Sequence, residues 1–178
     1  MDFFNSTVKK YDRIGPDFPL THWRLYFKGM MQKFCKSKFL YFGDGAEFRA
    51  GAYAVSCSKI SIGNRVVIRP GCMLFADPRK EGAGIIIEDD VMLGAGVHIY
   101  VTNHEYKNPL IPIIEQGHCL SKQVILRRGS WIGAGTIILP GVVVGENSVV
   151  AAGSVIINNV MSFTVVGGNP AKILQIIE

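Results

Sequence analysis

The stretch LRRGSWIGAGTIILPGVVVGENSVVAAGSVIINNVM, residues 126–161, divides into six consecutive blocks of six residues. The first position of every block is aliphatic, the fifth is serine, threonine or valine, and turn-forming residues occupy positions two to four. This pattern predicts a very short strand at positions five, six and one, with side chains pointing in, out and in. A corner follows each strand, where glycine and asparagine tolerate positive φ. A six-residue period is typical of a parallel β-helix, in which three strands close one triangular coil.

The same register extends through much of the chain. It fits ISIGNRVVIRPG (60–71) and the region 87–104, and more loosely 44–55. Two segments interrupt it, ADPRKEGAG (76–84) and EYKNPLIPIIEQGHCLSKQ (105–123). We therefore expect a β-helix domain over residues 44–178, with a protruding loop at 105–123 and a C-terminal tail.

Residues 1–43 lie outside the period and predict an N-terminal helical segment packed on the β-helix. Within it, LTHWRLYFKGMMQKFCKSKFL (20–40) indicates an amphipathic helix with Thr21 as N-cap. Its apolar stripe contains Trp23, Tyr26, Phe27, Met30 and Phe34. We expect this stripe to cover the open end of the coil stack and hide unpaired strand edges. The alternative is a helix that lies on a membrane surface, so a peripheral membrane contact stays open.

Composition limits the classes of protein that fit. The 178 residues suffice for one domain, and the net charge of +5 suits an anionic ligand or surface. No apolar stretch reaches the ~18 residues needed to cross a bilayer, and the N-terminus lacks the order of a secretory signal. The four cysteines show no CxxC spacing. We expect a cytoplasmic protein with free thiols, and we find no nucleic-acid-binding motif.

The sixth positions of the blocks point outward, yet they are apolar. They are Trp131, Ile137, Val143, Val149 and Val155. Water would not favour such a row, so another subunit or a ligand should cover it. A homo-oligomer with three-fold symmetry suits a triangular prism.

His104 stands where the period stops, in VTNHEY (101–106). By phase it also points outward, at the start of a long loop that is placed to shape a site. Histidine there can act as a general base near neutral pH; the plain alternative is a surface histidine. His98 and His118 are near it in sequence, but the chain lacks the third, suitably spaced ligand that zinc-dependent β-helix carbonic anhydrases use. We predict no metal site.

The chain resembles the hexapeptide-repeat acetyltransferases in the order of its motifs. These are IYVTNHEY (99–106), a long loop, GSWIGAGTIILPGVVVGENSVVAAGSVI (129–156) and VVGGNPAKIL (165–174). The likeness covers about residues 44–175 and is greatest to the maltose, galactoside and polysaccharide O-acetyltransferase branch. It implies an all-β fold, a left-handed parallel β-helix. It also implies a homotrimer with active sites between neighbouring prisms, and acetyl-CoA as co-substrate.

The resemblance further implies roles for individual residues. His104 matches the catalytic histidine that deprotonates the acceptor, and a backbone N–H at the Gly133–Ala134 turn would stabilise the oxyanion. Trp131 would wall the pantetheine channel. The remaining coenzyme A contacts implied by the resemblance are Ala134, Ala152, Asn158 and Lys172, of which Lys172 would meet the phosphate-bearing end.

The chain departs from the galactoside and maltose enzymes near the acceptor. They carry asparagine where this chain has Arg69, and acidic acceptor-binding residues in the first insertion, for which Asp77 and Glu81 are the candidates here. The resemblance thus predicts substrate binding by Arg69 and Asp77. We therefore expect an O-acetyltransferase for a sugar of a surface polysaccharide or lipopolysaccharide. An N-acetyltransferase for an amino sugar, with or without a nucleotide, is the second hypothesis, and a non-catalytic scaffold is the third.

Overall fold

The computed structural model describes residues 12–15 and 22–178, and its backbone winds as a triangular prism. Between Tyr41 and Ile156 the chain completes five coils, and each coil contributes one strand to each of the three faces. Within each face, the strands of successive coils run parallel. Face A contains β1 (Arg13–Ile14), β4 (Tyr53–Val55), β7 (Met73–Phe75), β10 (His98–Tyr100), β13 (Ile137–Ile138) and β16 (Val155–Ile156). Strand β1 is the exception to the parallel order, since it pairs antiparallel with β4. The predicted left-handed parallel β-helix is confirmed.

The other two faces complete the prism. Face B contains β2 (Tyr41–Phe42), β5 (Ile60–Ile62), β8 (Ile85–Ile87), β11 (Val124–Leu126) and β14 (Val143–Val144). Face C contains β3 (Glu47–Phe48), β6 (Val67–Ile68), β9 (Met92–Leu93), β12 (Trp131–Ile132), β15 (Val149–Val150), β17 (Thr164–Gly168) and β18 (Ala171–Ile176). Strand β18 turns back antiparallel on β17. The chain passes from face C to face A at the C–A corner and from face A to face B at the A–B corner.

The six-residue period of the sequence corresponds to the positions whose side chains point into the prism. Every first and fifth position between residues 126 and 160 is buried, and the core has aliphatic side chains at each level. Three inward hydroxyls are satisfied within their own corner. Thr136 donates to the Gly133 carbonyl, Ser148 to Gly145 and Ser154 to Ala151, at 2.6–2.8 Å. Each burial and each local hydrogen bond therefore favours the same coil geometry.

Position four of the block has the left-handed conformation, which explains its residue type. Gly129, Gly135, Gly141 and Gly153 have φ between 68° and 86°, and Asn147 has φ of 50°. Glycine adopts this conformation without steric cost, and asparagine tolerates it better than most residues. One such residue for each corner lets the chain turn toward the next face.

The outward sixth positions do not form the single row that we predicted. Trp131 and Val149 lie on face C, Ile137 and Val155 on face A, and Val143 on face B. Successive blocks occupy successive faces, so residues six apart point about a third of a turn away from each other. The apolar surface is therefore distributed around the prism.

The N-terminal segment differs from the single helix predicted over 20–40. A 3₁₀ helix, Trp23–Tyr26, is followed by an extended residue, Phe27, and then by α1, Lys28–Lys38. The face that packs on the first coil contains Leu25, Met31, Phe34 and Cys35. The predicted stripe is therefore wrong except at Phe34, because the break at Phe27 changes the angular phase. Thr21 lies outside the described residues.

The described part of the segment packs at the first coil of the prism. Helix α1 packs against β2 and β3, and the His22 Nε2 accepts a hydrogen bond from the Gly51 N–H at 2.9 Å. The first strand of the prism starts at Tyr41, three residues before the predicted domain boundary. None of the helices in the described part of the chain is long and apolar enough to cross a membrane. The cytoplasmic location stays a prediction.

Candidate active site

The residues singled out in the sequence fall on the two edges of face A. His104 leaves the prism at the A–B corner, where residues 101–123 connect β10 to β11. Trp131, on face C, leads into the turn 133–135 at the C–A corner. One chain therefore presents His104 and the turn 133–135 at opposite edges of one face.

The loop that carries His104 is an ordered hairpin. His104 and His118 form an antiparallel bridge, and their ring centroids lie 4.2 Å apart with planes inclined by 33°. The arms are further joined by bonds from the Glu105 N–H to the Gly117 carbonyl and from the Cys119 N–H to the Asn103 carbonyl, at 3.1 and 2.8 Å. His118 thus restricts the ring of His104, which remains exposed to solvent.

A cleft of about 420 Å³ lies beside this histidine pair. Phe75 and Tyr100 form part of its lining, with parallel stacked rings whose centroids are 5.1 Å apart. Pro78 lines it from the first insertion, and His104 and His118 line it from the loop. The cleft offers an apolar aromatic surface next to a basic nitrogen, an arrangement that suits the ring of a saccharide and one of its hydroxyl groups.

An ion pair within the first insertion is hydrogen-bonded to the second insertion. Arg79 donates to both carboxylate oxygens of Asp77 at 2.6–3.0 Å, and its Nη2 also donates to the Cys119 carbonyl at 3.1 Å. A longer contact of 3.4 Å joins the same Nη2 to the Thr102 Oγ1. The guanidinium holds the pKa of the Asp77 carboxyl well below its usual range. Arg79 therefore fixes the two arms of the loop on either side of His104.

This geometry bears on Asp77, which the resemblance suggested as an acceptor-binding residue. Asp77 is 1% exposed, and Arg79 occupies both of its oxygens. Acceptor binding by Asp77 stays a prediction that this geometry does not favour. Sequence reasoning missed Arg79 and the pairing of His118 with His104. The D-x-R spacing in the insertion was the available signal, but only the fold brings Arg79 to residues 102 and 119.

The C–A corner gathers most of the predicted coenzyme A contacts. Trp131 is half exposed on face C between Met92 and Val149, and Ala134 and Ala152 are exposed in consecutive turns. The turns stack through a bond from the Gly153 N–H to the Ala134 carbonyl at 2.8 Å. Small, exposed side chains therefore line this edge, and a thin, extended chain could lie along it; we call this edge the candidate cofactor groove.

Gly133 has a structural task in that groove. Its N–H donates to the Val150 carbonyl at 2.8 Å, and an added Cβ would lie 2.5 Å from the Ala152 nitrogen. The Gly133 N–H is therefore engaged in coil stacking. Among the described residues no acceptor lies within hydrogen-bond distance of the Ala134 N–H, which makes it the candidate oxyanion donor of this turn.

Lys172 lies at the end of the same corner. It pairs with Gly167 in the β17–β18 hairpin, and Gly167 is level with Ala151, whose Cβ would be 3.0 Å from an added Cβ. The Lys172 side chain is exposed. The structure thus brings Trp131, Ala134, Ala152 and Lys172 along one edge.

Two predicted residues lie elsewhere. Asn158 is exposed at the A–B corner, on the same edge as His104, beside a smaller cleft of about 250 Å³ to which Leu139 and Ile157 contribute. Arg69 is exposed at the C–A corner, in a coil nearer the N-terminal end. Within the described residues, no group of three or more histidine, cysteine or acidic side chains is arranged to hold a metal ion.

Two family models of hexapeptide repeats match the sequence. The family model described as bacterial transferase hexapeptide (six repeats) matches residues 124–158, and the hexapeptide repeat of succinyl-transferase matches 82–101. Galactoside O-acetyltransferase of Lactococcus lactis is 34% identical over 90 residues, 50% of this chain and 42% of that protein. The chain thus spans less than half the length of this curated relative.

A second relative is covered more fully. The dTDP-4-amino-4,6-dideoxy-D-glucose acyltransferase of Escherichia coli is 32% identical over 155 residues, 73% of this chain and 78% of that protein. The fold is shared with a hexapeptide-repeat acetyltransferase of Vibrio cholerae solved with acetyl coenzyme A, with a TM-score of 0.75 and 22% identity over 92% of this chain and 90% of that one. The repeat, the prism and this relative together show that the chain belongs to the hexapeptide-repeat acyltransferase family.

Proposed function

We propose that the protein transfers an acetyl group from acetyl-CoA to a sugar hydroxyl, with His104 as general base. The single observation that carries this proposal is the placement of His104 on the rim of the 420 Å³ aromatic cleft, at the break of the coil. The solved Vibrio cholerae relative, which contains acetyl coenzyme A, supports the choice of donor. The galactoside O-acetyltransferase relative supports the choice of acceptor class.

Groups of this chain can carry out each proton transfer of the proposed reaction. The acceptor hydroxyl oxygen attacks the thioester carbonyl carbon while His104 takes the hydroxyl proton. The oxyanion accepts a hydrogen bond from the Ala134 N–H, whose position at the exposed corner suits this role. The intermediate then collapses with loss of the carbon–sulfur bond, and the proton passes from His104 to the departing coenzyme A sulfur. Acetyl ester and free thiol are the products.

This scheme needs two chains for each site. His104 and the Ala134 turn occupy opposite edges of face A, so the A–B edge of one prism must meet the C–A edge of another. The apolar tip of the His104 loop supports such an assembly, since Leu110 and Ile114 are 90% and 84% exposed in the single chain. We propose a homotrimer, a closed ring in which each prism joins its A–B edge to one neighbour and its C–A edge to the other.

Acetylation of an amino sugar is the second candidate. The Escherichia coli relative acts on a 4-amino sugar nucleotide, and it covers more of this chain than the galactoside enzyme does. The same histidine would then accept the proton from an amine. Free amino sugars and their hydroxyl counterparts, tested side by side, separate the two candidates. A role in surface polysaccharide or lipopolysaccharide synthesis belongs to the first candidate.

The test measures thiol release from acetyl-CoA with a panel of sugars, amino sugars and oligosaccharides. With the best acceptor, His104→Ala should lower kcat by roughly 10²–10⁴, the usual contribution of general-base catalysis, and leave the KM for acetyl-CoA nearly unchanged. His98→Ala is the matched control, because His98 lies on the same face but contacts Tyr100 instead of His118. A His104→Ala variant that keeps more than half of its turnover would contradict the assignment.

A further inference from the structure

The outer surface of the N-terminal segment is apolar and basic at once. Trp23, Tyr26, Phe27 and Met30 are 46%, 72%, 57% and 38% exposed, although they belong to the cap of the prism. Arg24, Lys28 and Lys33 are exposed among them. We call these seven residues the basic end. It lies at the end of the prism away from Lys172 and is independent of the proposed catalytic edges.

Charge is distributed unevenly between this segment and the rest of the chain. Residues 22–38 contain five of the 19 basic residues and none of the 14 acidic ones. Outside the segment the two signs balance at 14 each, so the segment accounts for the whole net charge of +5. Lys36 is neutralised by Asp44 at 2.7 Å, but none of Arg24, Lys28 and Lys33 forms an ion pair within the described residues. The excess of basic over acidic residues in the sequence therefore lies within this segment.

The aromatic groups are of the kind that lies at a lipid–water boundary. Tryptophan and tyrosine have an apolar ring and a polar tip, and both are enriched at that boundary. The Arg24 guanidinium lies 5.9 Å from the Trp23 ring and 5.7 Å from the Phe34 ring, so the charge and the apolar surface are in contact. Long basic side chains can extend past such rings to the headgroups.

We propose that the basic end docks on the surface of an anionic lipid bilayer. Apolar side chains would enter the headgroup region, while the cations would pair with lipid phosphates. A second copy of this chain is the weaker occupant, because two basic ends facing each other would repel. The basic end would contact only one leaflet, because its exposed residues belong to one short 3₁₀ helix and the first turns of α1.

Sedimentation with vesicles tests this proposal. The full chain should bind vesicles of phosphatidylcholine with phosphatidylglycerol, bind phosphatidylcholine alone much more weakly, and dissociate as salt is raised. Lys28→Ala with Lys33→Ala should lower the partition coefficient by about 25-fold, since each lysine near an anionic surface contributes roughly a fivefold factor. Trp23→Ser with Phe27→Ser should also abolish most binding, even though the charge is kept.

Matched controls come from the other exposed surfaces. Lys80→Ala with Lys107→Ala removes two exposed lysines elsewhere, and Ile173→Ser with Ile176→Ser removes two exposed apolar groups at the other end of the prism. Neither pair should reduce vesicle binding. Circular dichroism checks that each variant is folded. In a Trp131→Phe chain, Trp23 is the sole tryptophan, and its emission should shift to shorter wavelength on anionic vesicles. The proposal would be overturned if the chain bound no vesicles, bound both vesicle types equally, or bound single-stranded nucleic acid alone. It would also be overturned if either control pair lost vesicle binding.

Discussion

At the scale of single residues, Lys172 depends on a glycine for its position. Gly167 opposite it has no side chain, and an added Cβ would lie 2.9 Å from the Leu174 Cδ1 and 3.0 Å from the Ala151 Cβ. The hairpin of β17 and β18 can therefore lie close to the turn that contains Ala152. This proximity is what makes an exposed lysine a candidate for the phosphates of a cofactor that follows the C–A corner.

Lys172→Ala is expected to raise the KM for acetyl-CoA about ten- to a hundredfold, because charge-assisted hydrogen bonds contribute roughly 1.5–3 kcal/mol. The kcat should change little, and the effect should weaken as salt is added. Steady-state kinetics at two ionic strengths measure this, with Lys28→Ala at the far end of the prism as the control. Equal KM values for Lys172→Ala and wild type would show that Lys172 is only a solvated side chain.

The phosphate that Lys172 meets can be identified with a truncated donor. Dephospho-acetyl-CoA lacks the 3′-phosphate, so wild type and Lys172→Ala should use it equally well if the lysine pairs with that group. A wild type that still uses the truncated donor far better than the variant would place Lys172 at the pyrophosphate.

At the scale of elements, the two insertions of the A–B corner behave as one unit. Residues 76–84 hold the Asp77–Arg79 pair, and Arg79 reaches both arms of the His104 loop. The Lys59 amino group also donates to the carbonyls of Arg79, Lys80 and Gly82, which fixes the turn of the first insertion. The first insertion thus supports the second. We predict that Arg79 positions His104 through these contacts.

Removal of Arg79 is expected to affect the rate more than donor binding. Arg79→Met should lower kcat about ten- to a hundredfold, the usual cost of a small misplacement of a catalytic group, with little change in the KM for acetyl-CoA. It should also destabilise the fold by about 1–3 kcal/mol, since the buried Asp77 loses its partner. Lys80→Ala, in the same turn, should change neither. A kcat for Arg79→Met equal to that of wild type would contradict the positioning role.

The pair also predicts a pH dependence of stability. The pKa of Asp77 in the folded chain lies below the unfolded value of about 3.9, so the pair stabilises the fold above that value and loses this contribution as the pH falls through the folded pKa. Chemical denaturation should therefore give a constant difference between wild type and Asp77→Asn from about pH 5 to 8, and a shrinking one in stronger acid. A difference that grows on acidification would have the wrong sign.

The elements differ in how well the sequence predicts them. The coils were predictable because one local rule, the alternation of Ser154, Val155 and Ile156 between inside and outside, repeats at every corner. The N-terminal segment was not, because a single extended residue, Phe27, changes the helical phase and exposes the aromatic stripe. The link from Arg79 to the His104 loop was missed because its partners in that loop are 23 and 40 residues away in sequence.

At the scale of the whole molecule, the prism decides which predicted residues can act together. The sequence places His104 and Trp131 only 27 positions apart, but one intervening strand on face B carries them to opposite edges of face A. The chain therefore carries the proposed general base at one edge and the candidate cofactor groove at the other. An acetyl-transfer site assembled from these edges must contain two copies of the chain.

Subunit complementation measures this central claim most directly. His104→Ala chains lack the base, and Ala152→Trp chains, with a bulky group at an exposed turn, block the cofactor groove; each variant alone should be inactive. When the two variants are refolded together or co-expressed in equal amounts, about a quarter of the wild-type activity should be recovered. The reason is that a quarter of the shared sites in randomly mixed rings combine the intact histidine of one chain with the intact groove of the other. Mixed assemblies, confirmed by mass, that stay as inactive as either parent would show that His104 and the groove do not form a site across two chains.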